Sequence, residues 1–335
     1  MKAVIFDGSN VEVKEVSKPK VDSTQVLIKN EFAGICGTDL AIAKGHLPTP
    51  TPIILGHEFS GEVIKSGESV NKDWLGKRVT AEINSNIDNE CYFCKKNMFT
   101  QCLSRKAIGI DINGAFSEYV AIESYLLHEL PSSISYNEGV FIEPLAAAYQ
   151  TFETMPLEEN DRTIAIYGLG RLGLLILQVA KEKGLKVIGI DGSTKKLELG
   201  KKLGASTLIN RLYTDKIPER VQEVTDGLGS DIVVDATGNP NALGDIVKSC
   251  RTRGKIHIKS THGIATPIDL TDIVVREITI YTSRCGPFKK AILGLVSGNI
   301  IVKPLISKEY TLDDITQALN SYEDRNTIKT ILKIN

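Results

Sequence analysis

TIAIYGLGRLGLLILQVAKEKGLKVIGID, residues 163–191, changes its hydrophobic rhythm twice. TIAIYG (163–168) is a continuous apolar run of strand length. RLGLLILQVAKEKG (171–184) then spaces its apolar residues as a helix does and stops on a glycine, and KVIGID (186–191) returns to a strand. Gly168, Leu169, Gly170, Arg171, Leu172 and Gly173 fall between the first strand and the helix, the context a dinucleotide fingerprint requires. Gly168 and Gly170 permit the tight turn and the approach of a pyrophosphate, and Gly173 lets the helix pack on the sheet. The helix N-terminus, at Arg171 and Leu172, offers unpaired N–H groups to the phosphates. Asp191, 23 residues beyond Gly168, ends the second strand, where a carboxylate can bind both ribose hydroxyls. Its charge disfavours an added 2′-phosphate, so NAD is expected rather than NADP. Gly192, Ser193, Lys195 and Lys196 would accommodate the phosphate only if the carboxylate turned away.

The same alternation continues downstream. A helix over 195–204, strands at 207–210, 231–235, 255–259 and 277–282, and helices near 215–226 and 239–250 predict a doubly wound parallel sheet. Beyond about 285 come a Gly-Pro turn, helices near 288–297 and 312–323, and a closing strand, IKTILKI (328–334). Residues 1–130 read differently. KAVIF (2–6), VEVKEV (11–16), QVLIKNEF (25–32), EFSGEVI (58–64), KRVTAE (77–82) and SEYVAI (117–122) alternate between turn residues, which predicts an irregular antiparallel sheet or partial barrel. PTPTPIILG (48–56) carries three prolines and is expected to be a loop leading into His57. The expected organisation is a nucleotide domain over 151–285, with 1–150 and 286–335 forming the other domain.

The chain has 335 residues, 42% hydrophobic and 24% charged, with a net charge of −1, and this balance gives no footprint for nucleic acid or an anionic membrane. The amino terminus alternates like a strand and lacks a signal-peptide core, and no apolar run reaches membrane-spanning length. A cytoplasmic protein acting on a small molecule is expected. Three of the six cysteines crowd into 91–102, which in a reducing compartment reads as metal-binding.

GICGTD (34–39), GHE (56–58) and EPLA (143–146) offer a thiol at Cys36, an imidazole at His57 and a carboxylate at Glu143. Together these form a zinc ligand set, and three protein ligands leave a position open for water or substrate, as in catalytic zinc. Each segment is weak evidence by itself. They gain weight from the nucleotide fingerprint in the same chain.

With LGHEFSGEV (55–63), EPLAAA (143–148), YGLGRLG (167–173), DATG (235–238) and IKTILKI, the chain resembles the zinc-dependent medium-chain dehydrogenase/reductase superfamily along nearly its whole length. Glu143, where liver-type alcohol dehydrogenases carry cysteine, is closer to the polyol, glucose and threonine dehydrogenase branches. The resemblance implies a GroES-like irregular β-barrel domain beside a Rossmann domain. It implies catalytic zinc on Cys36, His57 and Glu143, and transfer of a hydride between an alcohol, polyol or sugar hydroxyl and NAD. Thr38 would take the substrate hydroxyl proton, Asp39 would hydrogen-bond His57, and Glu58 would lie beside the metal as an alternative ligand. Lys329 matches a basic residue that approaches the cofactor pyrophosphate; a surface lysine is the competing reading.

Two positions depart from the family pattern. Where many relatives carry a proton-relay histidine this chain has Ala41, so the relay ends in water, the nicotinamide ribose or His46. The family's structural zinc loop carries four cysteines, and here Asp88 stands first, before Cys91, Cys94 and Cys102. A carboxylate can complete a tetrahedral zinc site. The competing functions are an NADPH-dependent carbonyl reductase of the same fold and a non-catalytic nucleotide- and zinc-binding protein. By the same resemblance the strand near 277–282 is expected to pair across a homodimer, and homotetramers are common.

Overall fold

The computed structural model describes residues 1–335 and divides them into two compact units. The first comprises 1–143, 306–323 and 329–335, and the second 144–305 and 324–328.

The first unit is built on a seven-stranded sheet. Its central strand, Gln25–Gly34, is long enough to pair antiparallel with Glu58–Ser66, Tyr119–Glu123 and Lys329–Lys333. Arg78–Ala81 and Leu127–Glu129 extend one side, and Ile306–Thr311, parallel to Lys329–Lys333, extends the other. Register shifts interrupt the pairing near Ile28 and Asn30, and such bulges bend and twist a strand into the irregular barrel expected. Alternate side chains from these strands, among them Val26, Ile28, Phe59, Val63 and Ile122, are removed from solvent in one core. Lys2–Phe6, Val11–Glu15 and Ile53–Ile54 form a separate small sheet, so the proline-rich segment expected to be all loop contributes a two-residue strand.

Register positions the site. Gly34 faces Glu58 on one neighbouring strand and Ile331 on the other. The end of one strand and the beginnings of two others therefore meet, and these carry Cys36, His57–Glu58 and Lys329. Cys36 then caps a short helix, Gly37–Ala43, in a reciprocal box: its side chain meets the backbone N–H of Asp39, the third helical residue, and the Asp39 carboxylate accepts from the Cys36 N–H.

The second unit has six parallel strands in the spatial order Thr207–Asn210, Lys186–Asp191, Thr163–Tyr167, Ser230–Asp235, Cys250–Ile258 and Thr279–Thr282. The first strand in sequence lies inside the sheet and the chain winds outward from it in both directions, the doubly wound topology expected. The strand-order reversal between Thr163–Tyr167 and Ser230–Asp235 is where such sheets bind ligands.

The boundaries differ from those expected. Residues 144–150 and 286–305 belong to the second unit, not the first. Ile142–Thr154 is one continuous helix, and residues near 300 bond to the helix Arg171–Glu182. There Gln178 Nε2 donates to Ile301 O at 3.1 Å, and Ile301 N donates to Gln178 Oε1 at 2.7 Å. Composition carries no trace of such long-range bonds. The helix expected over 312–323 is also shorter, Ile315–Asn320 between two 3-10 turns.

Candidate active site

Cys36, His57 and Glu58 each offer a ligand atom, and these atoms lie within 4.8 Å of one another. Asp39 organises the group. Its Oδ2 accepts from Cys36 N at 2.7 Å, and its Oδ1 stands 3.5 Å from His57 Nδ1. That contact directs Nδ1 toward the carboxylate and leaves Nε2 as the ring nitrogen facing elsewhere. Burial lowers the pKa of His57, but the Asp39 carboxylate and Cys36 outweigh it and hold the imidazole well above its ordinary value. Thr38 Oγ1 is 3.9 Å from Cys36 Sγ, at the rim of the group.

Glu58 is fully buried, its Oε2 is paired with Lys329 Nζ, and its Oε1 has no hydrogen-bond partner. A buried carboxylate oxygen left unpaired beside a thiol and an imidazole is the deficit that a cation fills. The donor set therefore fits zinc. Glu143, expected as the third ligand, is buried in the first turn of Ile142–Thr154 but does not belong to this close cluster, where Glu58 stands instead. Lys329, expected at the pyrophosphate or on the surface, is in the interior and engaged by Glu58, with Nζ also donating to Ile35 O at 3.0 Å. Burial lowers its pKa to about 8 against the opposing pull of Cys36 and Asp39. Ala41 lies within the helix and His46 is exposed in the turn after it.

A second donor group joins Asp88, Cys91, Cys94 and Cys102. Backbone N–H groups of Cys91 and Glu90 bond Asp88 Oδ1, both at 2.9 Å, and hold its carboxyl far below the ordinary range. Backbone N–H groups of Leu103 and Cys94 favour the thiolate at Cys91, whereas burial pushes the Cys94 thiol up to about 12. Four convergent donors of this composition suit a closed tetrahedral zinc site.

The glycine loop of the second unit has the shape of a dinucleotide cradle. Gly168 has φ +89°, and a Cβ there would meet Ala236 O at 2.7 Å. A Cβ on Gly173 would lie 1.8 Å from Gly168 O, whereas one on Gly170 would meet nothing within 4 Å. Helix and turn thus need Gly173 for packing, and the open side at Gly170 leaves backbone accessible to a phosphate. Arg171 and Leu172 open the helix that follows. Asp191 Oδ2 accepts from Leu169 N at 2.8 Å and its Oδ1 from Ser193 N at 2.8 Å, which fixes the carboxylate over the turn.

Sequence reasoning missed Arg211. It follows the strand Thr207–Asn210, and its guanidinium lies 3.1–3.3 Å from where a Cβ on Gly192 would stand. The only advance signal was that Gly192 directly follows Asp191, the acid expected at the cofactor ribose. His257, expected to be structural, is buried, with Nε2 3.3 Å from both Thr154 Oγ1 and Ser283 Oγ.

Comparison with known proteins returns consistent matches. Residues 22–132 match the family model for the alcohol dehydrogenase GroES-like domain, and residues 172–297 match the model for zinc-binding dehydrogenase. D-arabitol-phosphate dehydrogenase of Enterococcus avium is 36% identical over 96% of this chain and 93% of its own length. Sorbitol dehydrogenase of Halalkalibacterium halodurans is 31% identical, covering 96% and 94%. A zinc-binding dehydrogenase of Sinorhizobium meliloti 1021 solved with NADP superposes with a TM-score of 0.91 at 27% identity, covering 99% and 98%.

Proposed function

The chain belongs to the zinc-dependent medium-chain dehydrogenase/reductase superfamily, and from that membership we propose that it oxidises a secondary hydroxyl of a polyol or polyol phosphate, reversibly, with NAD. It is a zinc-dependent alcohol/polyol dehydrogenase: the alcohol becomes a carbonyl, a hydride goes to the nicotinamide and a proton is released. The observation that carries the reading is the Cys36–His57–Glu58 cluster, with His57 and Glu58 buried and Cys36 half-buried, in a chain that also carries the glycine cradle.

Cys36 and His57 would hold zinc with a carboxylate, Glu143 or Glu58, and zinc supplies Lewis acidity that makes a substrate hydroxyl easier to deprotonate. Thr38 accepts the substrate proton and passes on its own, because a hydroxyl can do both but cannot keep the charge. Asp39 fixes the orientation of His57. With Ala41 on the expected route and His46 exposed, the proton leaves through water or the cofactor ribose. Asp88, Cys91, Cys94 and Cys102 would hold a second, structural zinc.

NAD is favoured by Asp191, whose carboxylate is held over the turn by two backbone N–H groups. Arg211 beside Gly192 favours the competing reading, NADPH-dependent carbonyl reduction. Initial rates with NAD and NADP on sorbitol, D-arabitol phosphate and butanediol decide between them. We expect kcat/KM at least about tenfold higher with NAD, and Asp191→Gly is expected to erase that preference by removing a repulsion of about 1.4 kcal/mol or more. Wild-type preference for NADP would sink the NAD assignment.

We also propose a homodimer that closes the open edge of the parallel sheet. Thr279–Thr282 is the terminal strand, with Thr279, Ile280 and Thr282 exposed, and the adjacent helix Leu270–Val275 leaves Leu270, Val274 and Val275 largely in solvent. Ile280→Lys is expected to shift the sedimentation coefficient from dimer to monomer, and an unchanged coefficient removes the edge from the interface. No helix is long and apolar enough to cross a membrane, and we place the reaction in the cytoplasm, where the six free thiols stay reduced.

A further inference from the structure

Lys329 is the largest charged side chain that the first unit excludes from solvent, at 0% exposure. An ammonium in the interior is strongly unfavourable unless it is paired and hydrogen-bonded. Its contacts are distributed in an informative way. Nζ pairs with Glu58 Oε2, donates to Ile35 O at 3.0 Å and stands 5.9 Å from the centroid of the Phe141 ring. These three partners sit on the three segments that supply the donor set: Ile35 precedes Cys36, Glu58 follows His57, and Phe141 lies two residues before Glu143. The packing makes room for this arrangement. A Cβ on Gly34 would stand 2.7 Å from Glu58 Oε2 and 2.9 Å from Lys329 Nζ, so the glycine of GICG is the floor on which the pair rests.

The pair divides the Glu58 carboxylate. Oε2 is committed to Lys329, whereas Oε1 is buried without a hydrogen-bond partner, in a carboxylate that offers a ligand oxygen within 4.8 Å of the donor atoms of Cys36 and His57. A carboxylate with both oxygens free would bind a cation strongly and occupy the position that a substrate hydroxyl needs. One whose charge is partly neutralised by a lysine is a weaker and displaceable donor.

We propose that Lys329 is a positioning residue that restrains Glu58 from closing the coordination sphere of the metal, and so keeps one position exchangeable for substrate. The proposal rests on the reading of Cys36 and His57 as a metal site. Lys329 acts only through Glu58 and touches neither substrate nor reacting atoms.

Cobalt(II) substitution tests it without turnover. The zinc of the purified protein is replaced, the visible spectrum of the cobalt form is titrated with imidazole as an exogenous ligand, and metal loss to a chelator is timed. In Lys329→Met the released carboxylate is expected to slow metal loss at the catalytic site about tenfold and to raise the imidazole needed for the spectral shift about tenfold. That is the size of effect that residues behind metal ligands have, but here toward tighter binding, because the residue removed restrains a ligand rather than supports one. Lys329→Arg keeps the charge and is expected to restore the wild-type spectrum. Lys329→Met/Glu58→Gln contains no unpaired buried charge and so folds even if the single variant does not. It is expected to match Glu58→Gln alone in spectrum and in chelation rate. If the double variant instead holds metal more tightly than Glu58→Gln, Lys329 acts as a general repulsive charge and the proposal is overturned. Identical imidazole titrations for Lys329→Met and wild type overturn it as well. If wild-type protein shows no thiolate-to-cobalt absorption that disappears in Cys36→Ser, the metal reading itself fails.

Discussion

Cys36→Ser is expected to retain one zinc ion per chain where the wild type is expected to hold two, because the donors at Asp88, Cys91, Cys94 and Cys102 are a separate group. Its alcohol oxidation should fall at least about a thousandfold, or roughly 4 kcal/mol of transition-state stabilisation, the scale on which a Lewis acid acts. A serine hydroxyl stays protonated at neutral pH and replaces a thiolate poorly, so His57 and the carboxylates would be left with an incomplete set. The substitution isolates the metal from the fold. Cys36 is the N-cap of Gly37–Ala43, a position that serine fills at least as well, so the capping interaction with Asp39 should persist. The NADH affinity of the variant should therefore match that of the wild type. Metal analysis, thermal melting and NADH titration check these three statements together. Full zinc content with full turnover in Cys36→Ser would remove this residue from the catalytic site.

For Gly173→Ala the expected loss is in the cofactor. Its Cβ would stand 1.8 Å from Gly168 O, inside any non-bonded distance. The turn has little freedom to yield, because Gly168 N donates to Ile190 O at 2.8 Å and Gly168 already has φ +89°. Relieving the clash must shift either the helix Arg171–Glu182 or the glycine turn before it, which is expected to receive the cofactor pyrophosphate. Overpacking of this kind costs about 1–3 kcal/mol, and if the shift falls on the cofactor-competent conformation it weakens NADH binding about 10- to 100-fold. Gly170→Ala is the control for stability. A Cβ there meets nothing within 4 Å, so the melting temperature should stay at the wild-type value while NADH binding weakens through the obstructed approach. Calorimetric titration of both variants checks this, and wild-type NADH affinity in Gly173→Ala would show that the turn relaxes without consequence.

The parallel sheet was readable because its signals are local. A strand, a glycine turn and a helix within 163–184 each follow from neighbouring residues, and the observed strand Thr163–Tyr167 and helix Arg171–Glu182 lie within the expected ranges. The helix Gly37–Ala43 was not legible, since it is only seven residues long and its cap is a cysteine better read as a ligand. Residues 286–305, expected in the other unit, fall in the second for a different reason. What ties them to the nucleotide unit is a reciprocal pair of hydrogen bonds between Gln178 and Ile301, and no composition reports a bond across 123 residues.

The metal site divides along the same line. The sequence by itself determined which donors exist, since a thiol, an imidazole and carboxylates are properties of side chains, and the order of their segments sufficed to identify the family. Which carboxylate stands beside Cys36 and His57, and what restrains it, was decided only by tertiary structure. Gly34 faces both Glu58 and Ile331 because strands remote in the chain pair in one register, and that register brings Glu58 to the thiol and Lys329 to Glu58. The pairing energy is collective, spread over the whole sheet, so no short stretch of residues encodes where those two side chains meet.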